Sequence, residues 1–436
     1  MPTALDIGAG LGPDHPLHQC LSDEMHARPT LPVTAPARVL HVARHGAADA
    51  EADHAHIAAV CADLGIDAPP PGARQFRFAL DGASVKWERY TESCGWTVVV
   101  PGAAVAPVPE AVRGIVAGAP GRNLAVVDME VHAGATPAEA AALGLFDPSM
   151  LVAASLGDGR AEVWSDFRLG PSGEVKLILG LREDLAPRTI GNLVQRFLDI
   201  ETYRMMALLA LPVARKVNQR TTVLDRRLAE LTAAFTAAGT TPTDEQALLA
   251  ELGAIAAEVE ALVAESTWRF GAAKAYHALV EDRIAENRET PIGGFETIGY
   301  FMHRRLTPAM RTCESAAARQ ESLSQRVARS SQILRARVEI ALQAQNQSLL
   351  RSMEQRAGLQ LRLQETVEGL SVVVISYYVV GLIAYVLKGA EKLAPDLAPA
   401  TLAVAGVVPL VLGAVYVALR RMRRRLHLHR EHGAEG

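Results

Sequence analysis

At 436 residues, with 49% hydrophobic and 21% charged residues, the chain has the balance of a folded protein of two or three structural units, which excludes a disordered or low-complexity polypeptide. A formal net charge of −4 excludes a general nucleic-acid binder. Only six of the 44 basic residues are lysine, an arginine-heavy usage that points to a GC-rich bacterial coding sequence.

Residues 1–33 form an N-terminal segment. "MPTALDIGAGLGPDH" has neither a basic n-region nor an apolar h-region, so no signal peptide is expected. "GAGLGP" (8–13) follows no strand and stops at Pro13, so it is not read as a phosphate loop. Seven of the 13 histidines lie in the first 56 residues. "HPLHQCLSDEMHARP" brings His15, Glu24 and His26 together as a candidate polar cluster. No pair has HExxH spacing, and whether a metal binds there is open. The four cysteines, Cys20, Cys61, Cys94 and Cys313, form no CxxC pair and are expected to be free thiols in a reducing compartment.

Residues 34–185 read as an α/β domain with antiparallel strand pairs. β-Branched or alternating runs fall at Arg38–Ala43, Arg74–Leu80, Ser84–Tyr90, Trp96–Val100, Asn123–Val131, Met150–Leu156, Glu162–Leu169 and Val175–Leu181. Asp-Gly pairs in "LDGAS" and "LGDGR" mark hairpins. Helical patterns sit at Ala48–Leu64 and Pro109–Ala117. In "VVDMEVH" (126–132), Asp128, Glu130 and His132 alternate to one face and read as a solvated strand end.

Residues 186–369 read as a long antiparallel helical stalk. Pro187–Ala238 is expected to be one helix kinked at Pro212. Its Glu201 and Arg204 are expected to find packing partners. Pro242–Glu289 is a second helix, "TPIGG" breaks the pattern, and Phe295–Leu306 is a short helix. No proline occurs from Ala309 to Ala394, and apolar residues recur at Leu323, Val327, Leu334, Val338, Leu342, Leu349 and Met353 in steps of three, four or seven. This predicts one amphipathic helix running from near Pro308 into the apolar run that follows.

That run, 370–387, and a second, 400–419, are each long enough to span about 30 Å of hydrocarbon. With the short link 388–399 they predict a transmembrane hairpin. The tail 420–436 carries "RRMRRRLHLHR", so the positive-inside rule places the tail and the N-terminal domain in the cytoplasm, with the link periplasmic. On the first span Glu368, Ser371, Tyr378, Tyr385 and Lys388 fall near one stripe, a candidate helix contact or pore lining.

"HPLHQCLSDEMHARP", "DIETYRMMALLALPVAR", "TIGYFMHRRLTPAMRTC" and "LQLRLQETVEGLSVVVISYYVVGLIAYVLKG" together resemble an uncharacterised bacterial family, a domain of unknown function described as membrane-anchored. The resemblance covers almost the whole chain and implies anchoring, with no catalytic residue to carry over. In architecture the chain is also similar to CorA-type divalent cation channels, homopentamers whose first span lines the pore. Where those carry Gly-Met-Asn this chain reads "YVLKGAEK", and a ring of Lys388 repels cations.

The expected fold class is therefore α+β: an α/β domain, a long helical stalk and a C-terminal two-helix membrane hairpin. The expected function is that of a multi-pass bacterial inner-membrane protein, homo-oligomeric and channel- or transporter-like, with a cytoplasmic regulatory domain. The alternative is a membrane-tethered scaffold or sensor without a pore. Membrane lipid and further copies of the chain are the expected partners, with no nucleic acid; the ion or protein partner and any cofactor stay open. The chain lacks GxxxxGK[ST], GxSxG and the kinase set, so it is not expected to be an enzyme.

Overall fold

The computed structural model describes residues 15–18, 21–22, 29–46, 50–236, 242–393, 405–418 and 421. The chain divides into two compact units, Met1–Gln332 and Ile333–Gly436.

The first unit is built on one nine-stranded, mostly antiparallel sheet among the described residues. Its strands are β1 (Ala37–His45), β2 (Gln75–Leu80), β3 (Ala83–Arg89), β4 (Ser93–Pro101), β5 (Arg122–His132), β6 (Val152–Leu156), β7 (Ala161–Ser165), β8 (Val175–Leu181) and β9 (Thr290–Pro291). They lie in the order β2-β3-β4-β1-β5-β8-β7-β6-β9, and β5 and β8 form the parallel pair. The β2–β3 turn places Asp81 and Gly82 at φ 49° and 77°, the double left-handed conformation that a two-residue hairpin needs.

Helices cover both faces of the sheet. On one side lie α1 (Ala50–Leu64), α2 (Glu110–Gly118) and α3 (Ala135–Leu145). Ile57, Cys61, Val112 and Val116 pack there on Val85, Trp87, Trp96 and Val98, and Ala138 and Ala142 on Trp164 and Ile178. On the other side lie α4 (Pro187–Leu208), α5 (Ala210–Thr236), α6 (Pro242–Asn287) and the first turns of α7 (Ile298–Leu393). Leu193, Phe197, Ile200, Val280, Phe301 and Met310 join Val39, Met129, Val131 and Leu179 in one core.

Four local features depart from expectation. α3 was not anticipated, because "ATPAEAAALGL" is small and apolar all round and shows little helical contrast. The strand expected over Glu162–Leu169 ends at Ser165, where Phe167 turns left-handed at φ 53°. The kink expected at Pro212 is a break at Leu209, one turn earlier, because a proline ring displaces the carbonyl four residues back, here that of Leu208. The helix expected to restart near Pro308 is continuous from Ile298, with Thr297 Oγ1 accepting the Tyr300 N–H at 3.2 Å as its cap. Met302 and Leu306 before Pro308, and Met310 and Cys313 after it, are anchored in the same core, which offsets the one lost ladder bond.

In the second unit α7 continues to Leu393, and α8 spans Ala405–Ala418. α7 is long and apolar enough to cross a membrane; α8 is a shorter apolar helix of about 21 Å. The 394–404 connection and nearly all of the basic tail lie outside the described residues.

Gly191 of α4 sits where the chain at Leu31 crosses the helix, and a Cβ there would lie 2.1 Å from the Leu31 carbonyl oxygen. Backbone cannot rotate away as a side chain can. Gly191→Ala is expected to cost about 1–3 kcal/mol, read as a lowered melting temperature of the purified chain.

Candidate functional site

A polar layer is sealed between the sheet and α4. His41, Thr97 and Lys86 are register partners across β1, β4 and β3 and point to the α4 side, as does Glu88. Gln195, Asp199 and Thr202 sit at positions i, i+4 and i+7 of α4, on one stripe. The Lys86 ammonium lies 2.7 Å from Glu88 Oε2 and donates to Gln195 Oε1 at 3.0 Å; these two charged side chains are 1% and 2% exposed. Gln195 donates to Asp199 at 2.8 Å, and Arg283 of α6 donates to the other Asp199 oxygen at 2.9 Å. The His41 ring bridges Thr97 (2.9 Å) and Thr202 (3.2 Å). A Cβ at Gly95 would come within 3.2 Å of that ring, so glycine in mid-strand makes its room.

Burial first, and the Lys86 charge second, push the His41 pKa down to about 3. Burial raises that of Asp199 against the opposing hydrogen bonds from Gln195 and Arg283. None of the cavities described below reaches the layer, which joins α4 to β1 and β3 by directed bonds, with Thr97 of β4 held through His41.

Two concave sites flank α4. One, of about 360 Å³, lies beyond the carboxyl ends of β5 and β8, beside the starts of α3 and α4. Glu183 and Asp184 line it, and its Arg182 is already bound to Glu162. The other, of about 280 Å³, is lined by Phe167, Arg168, Arg204, Phe301 and Arg305 among others. Glu201 and Arg204 prove to be each other's partners, at 2.9 and 2.5 Å.

The histidines expected from the sequence separate into packing roles. His54 meets Trp87 edge-on and His56 meets Trp96, with ring centroids 5.5 and 5.6 Å apart. His15 is exposed and accepts the Leu17 N–H at 3.2 Å, while Glu24 and His26 lie outside the described residues. Among the described residues no group of three His, Cys, Asp or Glu side chains could hold a metal. Asp128 does not face water: it is bound by Arg38 at 2.7 and 2.9 Å, and Glu130 pairs with His132 at 3.1 Å. Cys61, Cys94 and Cys313 are buried and unpaired.

On α7 the polar stripe is exposed at Ser371, Tyr378, Tyr385 and Lys388, with Glu368 half-buried. Ser371 donates to the Val367 carbonyl at 2.9 Å. Within this unit the covered face is a different one: Glu368, Val372, Ser376 and Val380 are half-buried or buried in steps of four. Helical geometry puts that face across the helix from Ser371, Tyr378 and Tyr385. The sequence showed the polar stripe but not its extension. Leu342, Leu349, Leu363 and Leu370 share one phase of a seven-residue repeat, and Asn346, Met353, Gln360, Val367 and Val374 share the adjacent core phase. Leu350, Ala357, Gln364, Ser371, Tyr378 and Tyr385 flank them. Between 342 and 370 the charges Arg351, Glu354, Arg362, Glu365 and Glu368 all fall on the opposite side; Arg356 alone is in phase with the leucines. The apolar residues of this face are exposed, Leu342 at 55%, Leu349 at 57% and Leu363 at 68%.

The chain belongs to the family "Protein of unknown function (DUF3422)", which matches residues 13–426. No curated protein and no solved structure matches it.

Two predictions test the polar layer. Lys86→Met alone strands a buried carboxylate and is expected to cost about 3–5 kcal/mol, whereas Lys86→Met with Glu88→Leu recovers most of the loss in denaturant unfolding. Because the folded pKa of His41 lies below its usual 6.5, the unfolded chain takes up that proton first. The stabilisation is complete above pH 6.5 and falls by about 1.4 kcal/mol per unit as the pH drops towards 3. In His41→Gln the slope of melting temperature between pH 6.5 and 5 is expected to flatten.

Proposed function

We propose that this DUF3422 protein is a bacterial inner-membrane protein whose copies assemble side by side through α7 into a channel-like complex, with the α+β unit as its cytoplasmic regulatory part. The observation that carries the reading is the leucine face of α7, which carries Arg356 as its one charge between Leu342 and Leu370, is exposed from Leu342 onward and is continuous with the Ser371–Tyr378–Tyr385 stripe. Burying such leucines is worth about 1.5–3 kcal/mol each. A helix fixed in a bilayer is most simply met over its length by another copy fixed in the same way.

The apolar run of α7 and the region of α8 form the two-span hairpin in this reading, and the arginines after Leu419 keep both ends in the cytoplasm. Lys388 shares the phase of Val367 and Val374, so copies meeting on this face would set a ring of ammonium groups at one mouth. That ring would favour anions and disfavour divalent cations, so in this reading the complex differs from CorA-type channels in its ion. The second reading, a tethered sensor or scaffold without a pore, is favoured by the Ser371 hydroxyl, which is satisfied by its own helix and needs no water.

Ion flux into liposomes carrying the full chain separates the two. Chloride or phosphate flux above that of empty liposomes, weakened by Tyr378→Ala and turned towards cations by Lys388→Glu, is the expected result. No flux of any ion with correctly inserted protein would leave the tethered reading.

A further inference from the structure

The 280 Å³ cavity between α4, the 166–168 loop and the start of α7 has a lining that neither the core nor the membrane reading requires. Its floor is a stack. The rings of Phe167 and Phe301 lie 5.0 Å apart at an interplanar angle of 24°. The Arg305 guanidinium carbon lies 4.0 Å from the Phe301 centroid, and that of Arg204 lies 5.9 Å from Phe167. Leu208, Met302 and Leu306 supply an apolar wall.

The charges on the lining do not cancel. Three arginines, Arg168, Arg204 and Arg305, share it with one carboxylate, Asp166. Arg204 is neutralised by Glu201, which is 1% exposed. Among the described residues Arg305 has Glu296 as its one carboxylate partner, at 3.9 Å, and the other oxygen of that carboxylate holds Arg304 at 2.7 Å. Among the described residues the Arg168 side chain makes no hydrogen bond or ion pair, its charge acting on the exposed Asp147 carboxylate, while Asp166 Oδ1 accepts the Arg168 backbone N–H at 3.0 Å. Phe167 is held in its left-handed conformation by the Ser165 hydroxyl, which accepts its N–H at 3.0 Å and donates to the Lys176 carbonyl at 2.7 Å. Backbone strain of this kind persists only where the surroundings enforce it, and here it sets a phenyl ring into the cavity floor.

We propose that this cavity binds a small amphiphilic anion, a carboxylate or phosphate monoester on a short apolar body. Arg168 and Arg305 take the charged head, as guanidinium groups suit carboxylate and phosphate oxygens. Leu208, Met302 and Leu306 take the apolar body, and the paired Arg204 holds the aromatic floor in place. Every residue in the site belongs to the first unit.

The test uses the full chain in nanodiscs of zwitterionic lipid, titrated calorimetrically with hexyl phosphate and hexanoate, with hexanol as the neutral control. Saturable binding of at least one anion is expected, with none of hexanol. Arg168→Gln and Arg305→Gln, both at exposed positions and compatible with folding, are each expected to weaken binding about tenfold, the worth of one charge-assisted bond. Adding phosphatidic acid to the discs identifies the source: competition with hexyl phosphate assigns the head to a lipid, and no competition assigns it to a soluble anion. No saturable binding by the wild-type chain, binding unchanged in both variants, or hexanol binding as well as the anions would overturn the site.

Discussion

A single face of one helix sets the terms for the second unit. From Leu342 to Leu370 the charged side chains of α7, Arg356 excepted, are gathered on one side, which leaves leucine, glutamine and small residues on the other. Among the described residues nothing covers the leucines of that side. Upstream on α7, Leu323, Val327 and Leu334 are 1%, 3% and 0% exposed; beyond Val338 the large apolar residues Leu342, Leu349 and Met353 emerge into solvent. A helix of this length draws most of its stability from packing of its apolar face, so the exposed portion needs a partner that the chain alone does not supply. The bilayer, second copy and pore proposed above are successive answers to that one requirement.

The first unit solves a different problem. Its sheet is covered on both faces, so polar side chains on either face must be bonded internally. On the α4 side this is done by Lys86, paired with Glu88, reaching Gln195, and by His41, bonded to Thr97, reaching Thr202, while Gln195 and Arg283 hold Asp199. The same bonds fix the rotation of α4, and that rotation brings Glu201 and Arg204 to the edge of the arginine-lined cavity. Packing and candidate site are therefore linked through one helix: the groups that hold α4 on the sheet, from Gln195 to Thr202, are followed directly by Arg204 and Leu208, which line the cavity.

The strands were legible because β-branched residues alternate between Asp-Gly turns, and those turns adopt the conformation that the dipeptide favours. The polar layer was not. In a strand read alone, His41 and Lys86 occupy alternate positions that look like a solvent face, and only the helix crossing above them makes that face an interior. α3 was hidden by its own composition, since alanine on every side gives no stripe. The stripe of Ser371, Tyr378 and Tyr385 was visible as spacing in a span, but its continuation through Gln364, Ala357 and Leu350 emerges only once the leucines around it are seen to be exposed. The cluster of His15, Glu24 and His26 falls largely outside the described residues.

The central claim is that the leucine face of α7 meets the same face of another copy. Disulfide trapping in native membranes tests it most directly, with single cysteines placed in turn along 342–370 of a chain otherwise free of cysteine. The account predicts covalent dimers at Leu349 and Leu363 and little at Glu354, Arg362 and Glu365, a periodicity of seven on the gel. Equal trapping at all positions, or none at Leu349 and Leu363, would contradict it.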